Sequence, residues 1–144
     1  MSTLVVLLLA VGVGGAAGSV LRWAIKEAWL RRLARRGATS IAAELIPWPT
    51  IFANILACFL LGIVVTEFGA ATEGSARALF LLLSAGFCGG LSTLSTAAMD
   101  VVSLVRRGAP VIAAGYLMVS VGIGMAALWS GLMTAQLFGG VLAP

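Results

Sequence analysis

Residues Ala78–Met99 read ALFLLLSAGFCGGLSTLSTAAM, 22 residues without a single charge. A helix crosses the hydrocarbon core of a bilayer with about 20 predominantly apolar residues, so this run is one crossing long. The pattern repeats on both sides of it. Ser2–Leu21 is charge-free for 20 residues, Leu45–Thr66 for 22 and Gly108–Pro144 for 37. The last run is too short for two crossings joined by a turn. The chain therefore reads as an all-α integral membrane protein, with four transmembrane helices over residues 4–29, 49–67, 77–103 and 109–135. They form one membrane domain, 1–144. The runs are continuously apolar rather than alternating, which disfavours a strand barrel.

Composition closes off other classes. Of 144 residues, 61% are hydrophobic and only 10% are charged, against about 25% charged in soluble domains. The mean hydropathy is +1.12. A water-facing enzyme or nucleic-acid binder cannot be clothed this way, despite a net charge of +4. No histidine is present, which removes the commonest general base and transition-metal ligand. The chain is not an enzyme on this reading: it offers no nucleophile–base pair. The first apolar run lacks a basic stretch before it, so it reads as a retained helix rather than a cleaved signal. Cys58 and Cys88 fall inside spans and read as small buried residues, not as a disulfide or a zinc site.

The basic residues give the topology. Lys26, Arg31, Arg32, Arg35 and Arg36 follow the first helix, and Arg106 and Arg107 lie between the third and fourth. Four crossings put those seven on one side, with Arg77 alone on the other. Short loops rich in Lys and Arg stay in the cytoplasm. The protein is expected to be a multi-pass plasma-membrane protein with extracytoplasmic termini. Contact with lipid headgroups is the simplest further use of the cluster.

Small residues recur at helical spacing: Gly14, Gly15, Gly18 and Ser19 on the first helix, Gly86 and Gly90 on the third. Such faces let membrane helices approach closely. The third helix also carries Gly89-Gly90 and then four hydroxyls, Ser92, Thr93, Ser95 and Thr96. Paired glycines weaken a helix, and hydroxyls compete for its carbonyls. A break near the middle is expected. It would free carbonyls for a cation and offer hydroxyls to an anion; a hydroxyl-rich packing seam reads equally well. Asn54 with Cys58 on the second helix, and Tyr116 with Ser120 on the fourth, add neutral polar groups. No carboxylate lies mid-span, which argues against a proton-coupled pump. Neutral donors suit a small hard anion that must shed water. Arg22, toward the cytoplasmic end of the first helix, either snorkels to the interface or makes a positive vestibule.

Taken together these residues resemble the CrcB/Fluc fluoride channel family over essentially the full chain. The resemblance rests on Gly14-Gly15-x-x-Gly18-x-x-x-Arg22, on Asn54-x-x-Ala57-Cys58-Phe59-x-x-Gly62, on Tyr116-x-x-x-Ser120, and most specifically on Gly86-Phe87-Cys88-Gly89-Gly90-x-Ser92-Thr93-x-Ser95-Thr96. It implies a dual-pore antiparallel dimer that exports cytoplasmic fluoride and so reduces its toxicity. It implies pore-lining roles for Asn54, Ser95, Thr96, Tyr116 and Ser120, and a vestibule at Arg22. It also implies a structural sodium ion on the backbone carbonyls of Gly89 and Ser92. The pore positions where the family usually has phenylalanine hold Leu94 and Ala97 here, and Cys58 stands where a serine is usual. An aromatic edge carries partial positive charge, which leucine and alanine lack.

An antiparallel homodimer needs a subunit that inserts both ways, yet seven basic residues against one fix a single orientation. The expectation is a heterodimer with an inverted second family member that supplies the phenylalanines. A small multidrug transporter would be expected to carry a glutamate in the first helix, and Ser2–Leu21 has none. A non-conducting structural membrane subunit is the other alternative.

Overall fold

The computed structural model describes residues 2–36 and 46–142, with side chains described for 3–35 and 46–139. Helix α1 runs Ser2–Arg36 and α2 runs Trp48–Phe68. The third crossing is composite. It consists of α3 (Gly74–Leu81), a π-helical stretch (Leu82–Cys88), the single turn α4 (Gly89–Leu91) and, after a break, α5 (Leu94–Arg106). The fourth crossing is α6, Pro110–Leu142. No strand occurs among the described residues, and four helical segments are long and apolar enough to cross a membrane.

Local chemistry sets the ends. Pro49 sits in the first turn of α2, where a missing N–H costs no helical bond. Gly108 adopts φ +78° after α5, and the Ala109 N–H reaches the Leu104 carbonyl at 3.0 Å while the Gly108 N–H reaches Val105 at 3.0 Å. This paired closure needs a left-handed residue, which glycine supplies without strain. Pro110 then starts α6. Helix α1 extends past residue 29 through the basic run; its 35 residues span about 52 Å, against about 30 Å of hydrocarbon.

The helices are held by glycine-to-backbone contact rather than by large side chains. A Cβ on Gly14 would strike the Leu82 carbonyl, and one on Gly18 the Phe87 carbonyl. From the opposite side, a Cβ on Gly86 would lie 2.8 Å from the Val11 oxygen. The two glycine stripes recognised in the sequence therefore face each other, α1 against the third crossing. A second seam joins α2 to α6, where Gly62 and Gly131 meet backbone to backbone. Between the seams lies Leu91, fully buried against Ala53 and Ala57 of α2, with Leu21 and Phe87 beside them. This core pins the broken third crossing to both α1 and α2.

Candidate functional site

The break falls at Ser92 and Thr93. Both have extended backbone, at φ −76°, ψ 147° and φ −152°, ψ 114°. In an uninterrupted helix the Thr93 N–H would donate to the Gly89 carbonyl. Here it donates to Asn54 Oδ1 of α2 at 3.1 Å. Inside a membrane an orphaned N–H costs several kcal/mol, so this one side-chain bond makes the break tenable. Thr93 then caps α5: its hydroxyl accepts from the Thr96 N–H at 3.3 Å. The next helix thus begins within the membrane, with the N–H groups of Leu94 and Ser95 at its partly positive end. A π-helical stretch ends just before the break, with the Gly89 N–H donating back to the carbonyls of Gly86 and Ser84.

Two grooves flank this point. One, of about 300 Å³, is lined by Asn54, Cys58, Ser92, Thr93, Leu94, Ala97, Ser120 and Gly124 among others. The other, of about 250 Å³, is lined by Ser19, Arg22, Lys26, Thr50 and Thr96 together with Trp23 and Pro49. Thr96 ties them together. Arg22 Nη1 donates to its hydroxyl at 3.5 Å, and that hydroxyl donates to Thr93 Oγ1 at 3.3 Å. A continuous polar chain, Arg22–Thr96–Thr93–Asn54, therefore runs from the cationic groove to the neutral one. Asn54 uses its carbonyl oxygen on Thr93, which leaves its NH2 group as the donor for the groove.

Of the candidate residues, Asn54, Leu94, Ala97 and Ser120 share the first groove, and Arg22 and Thr96 the second. Leu94 is 83% exposed in the single chain, whereas Ala97 is buried. Ser95 is exposed and lines neither groove. Tyr116 stands apart. It is buried against Ile51, Leu104 and Ala113, and its hydroxyl donates to Asp100 Oδ2 at 3.4 Å. Gly89 is exposed, and its carbonyl has lost the Thr93 N–H. The neighbouring Gly90 carbonyl accepts the Ser19 hydroxyl at 3.5 Å. Among the described residues no three His, Cys, Asp or Glu side chains stand together.

Sequence reasoning passed over Thr93 as a cap and Ser19 as a partner for the break. Thr93 had a local signal, a threonine three residues before the N–H it satisfies. The Tyr116–Asp100 bond had none, because it joins different helices.

The family described as CrcB-like protein, Camphor Resistance (CrcB), matches residues 9–132. A Rhizobium etli protein called fluoride-specific ion channel FluC is 39% identical over 128 residues, covering 86% of this chain and 91% of the relative. Proteins of the same name from Erythrobacter litoralis and Chlorobaculum tepidum are each 35% identical. They cover 89% and 90% of this chain, and 90% and 94% of their own lengths.

Proposed function

The chain belongs to the CrcB family, and on that premise we propose that it is a subunit of a fluoride-selective channel that lets cytoplasmic fluoride leave the cell. The observation that carries the reading is the polar chain from Arg22 through Thr96 and Thr93 to Asn54, held at membrane depth by an otherwise apolar bundle. Arg22 and Lys26 raise the local concentration of anions at the mouth. Farther in, every donor is neutral: the Asn54 amide, the Ser120 hydroxyl and the N-terminal N–H groups of α5. Stripping water from an ion costs on the order of 20 kcal/mol in the Born limit, so several donors must act in series. Neutral donors replace hydration without trapping the anion as a fixed charge would.

The first groove is open along one side, and Leu94 projects from its wall. A second subunit would close it, as in a dual-pore antiparallel dimer. The basic residues flanking the crossings favour one orientation, with extracytoplasmic termini. A heterodimer with an inverted family member is the reading that reconciles this bias with an antiparallel pair. That partner would bring the aromatic edges that Leu94 and Ala97 do not supply. The carbonyls of Gly89 and Ser92 suit a sodium ion at the break: the first is released by the Thr93–Asn54 bond, and hard cations favour oxygen donors. Such an ion would supply fixed positive charge that ties the two subunits together.

The test is ion efflux from liposomes holding the chain co-purified with its opposite-biased partner. Fluoride is expected to leave, followed with a fluoride electrode, while chloride is retained. An assembled pair that releases neither ion, or both alike, would contradict the proposal.

A further inference from the structure

A third groove lies away from the break, between the C-terminal half of α1 and the start of α2. It encloses about 450 Å³ and is lined by Ile25, Ala28, Trp29 and Arg32 of α1 and by Trp48, Pro49 and Phe52 of α2. The four α1 residues stand at i, i+3, i+4 and i+7, on one helix face. They are graded along it. Ile25 lies deepest in the membrane, Ala28 leaves room, Trp29 follows, and Arg32 comes last at the basic end, about 10 Å farther along the axis. On α2 the same grading runs in reverse order, from Phe52 within the membrane to Trp48 at the helix start. Apolar surface is thus deep, tryptophans stand at the boundary, and a guanidinium lies outermost. Phe52 and Trp48 are 57% and 41% exposed, so the groove opens to the side, toward lipid.

We propose that this groove binds one acidic phospholipid, with its acyl chain against Ile25 and Phe52, its glycerol region between Trp29 and Trp48, and its phosphate on Arg32. The depth order matches a phospholipid standing in that leaflet. A soluble anion would have no use for the deep apolar end, and a neutral lipid none for the guanidinium. The neighbouring Arg31 is already engaged, with its Nε 2.9 Å from Glu27 Oε1. Of the two, Arg32 is the one that lines the groove. The groove adjoins the cationic groove at the break through Pro49, which lines both, but Ile25, Trp29, Arg32, Trp48 and Phe52 line neither of the two grooves there.

Brominated lipids test this directly. With Trp23 and Trp129 replaced by phenylalanine, the remaining tryptophans, Trp29 and Trp48, both line the groove. The full chain is reconstituted in phosphatidylcholine–phosphatidylglycerol vesicles in which one lipid or the other carries bromine. One basic residue near the surface favours an anionic lipid by about fivefold, so brominated phosphatidylglycerol should quench more strongly than brominated phosphatidylcholine at equal mole fraction. Arg32→Gln should abolish that difference, and Arg35→Gln, which removes the same charge outside the groove, should preserve it. Equal quenching by the two lipids would overturn the proposal. So would quenching by neither, which would mean the groove is covered by the protein itself. A preference lost equally in Arg35→Gln would point to diffuse charge and would overturn it as well.

Discussion

Asn54 does two jobs with the two ends of one amide, and the ends can be separated by substitution. Its Oδ1 accepts the Thr93 N–H that the break leaves without a helical partner. Its NH2 is left for the groove. Asn54→Asp keeps an acceptor beside the partly positive start of α5, where a carboxylate is favoured. This variant is expected to melt within about 1 kcal/mol of the parent while losing fluoride flux by tenfold or more, because a fixed negative charge now stands in the path. Asn54→Leu has nearly the same size and no polar end. It orphans the Thr93 N–H and should lose about 1–3 kcal/mol of stability as well as flux. Thermal unfolding in detergent, read beside liposome efflux, checks both. Equal stability of the two variants would mean that the Asn54–Thr93 bond does not hold the break. The sequence made Asn54 visible as a lone amide in an apolar run. It did not make its partner visible, because Thr93 lies 39 residues away and its N–H has no side-chain signature.

At the scale of elements, the glycine seams make the sharpest demand. Gly86 faces α1 so closely that a methyl group would lie 2.8 Å from the Val11 oxygen and 3.0 Å from Gly14 Cα. Gly12, two residues from Gly14 on α1, has nothing within 4 Å of a built Cβ. Gly86→Ala is therefore expected to lose about 1–3 kcal/mol by forcing α1 from the third crossing. Gly12→Ala should be neutral or gain up to about 1 kcal/mol from helix propensity. Thermal melts of the two variants decide it, and equal shifts would mean that the seam yields. Both glycines look alike in the sequence, since every face of α1 is apolar and periodicity cannot say which side meets protein. Spacing made the stripes at Gly14–Gly18 and Gly86–Gly90 legible. It left the Gly62–Gly131 seam unread, because spacing along one helix does not say which other helix a glycine will meet. The break was legible from its glycines and hydroxyls. The π-helical stretch before it was not, because nothing in Leu82–Cys88 distinguishes a five-residue turn from the ordinary four-residue one.

For the whole molecule, the distribution of exposed surface and of charge leads to one experiment. Leu94 is 83% exposed, Met99 68% and Met118 76%, and Val121 and Met125 along α6 are more than half exposed. That apolar surface adjoins the open groove, so what covers it also closes the groove. Lipid would leave the groove without its second wall; a protein partner would complete it. On the proposed reading, the basic ends of α1 and α5 set which partner fits. A chain held in one orientation by its positive ends cannot meet an inverted copy of itself in the same membrane. Two outcomes are expected together. A single cysteine placed among the exposed residues after Gly108, in a background with Cys58 and Cys88 replaced by serine, should be labelled by an impermeant thiol reagent from the cytoplasmic side alone. Liposomes holding this chain alone should also retain fluoride, whereas the co-expressed pair releases it. Labelling from both sides with strong flux from the single chain would establish a homodimer of mixed orientation, and the charge bias would then have no bearing on assembly. Leu94→Phe refines the same test. Position 94 is open enough to take the ring without crowding, whereas Ala97 is buried and a ring there would overpack the wall by about 1–3 kcal/mol. Because the proposed partner supplies the aromatic edges, Leu94→Phe should leave flux through the pair unchanged, and a rise in flux would mean that the partner does not supply them.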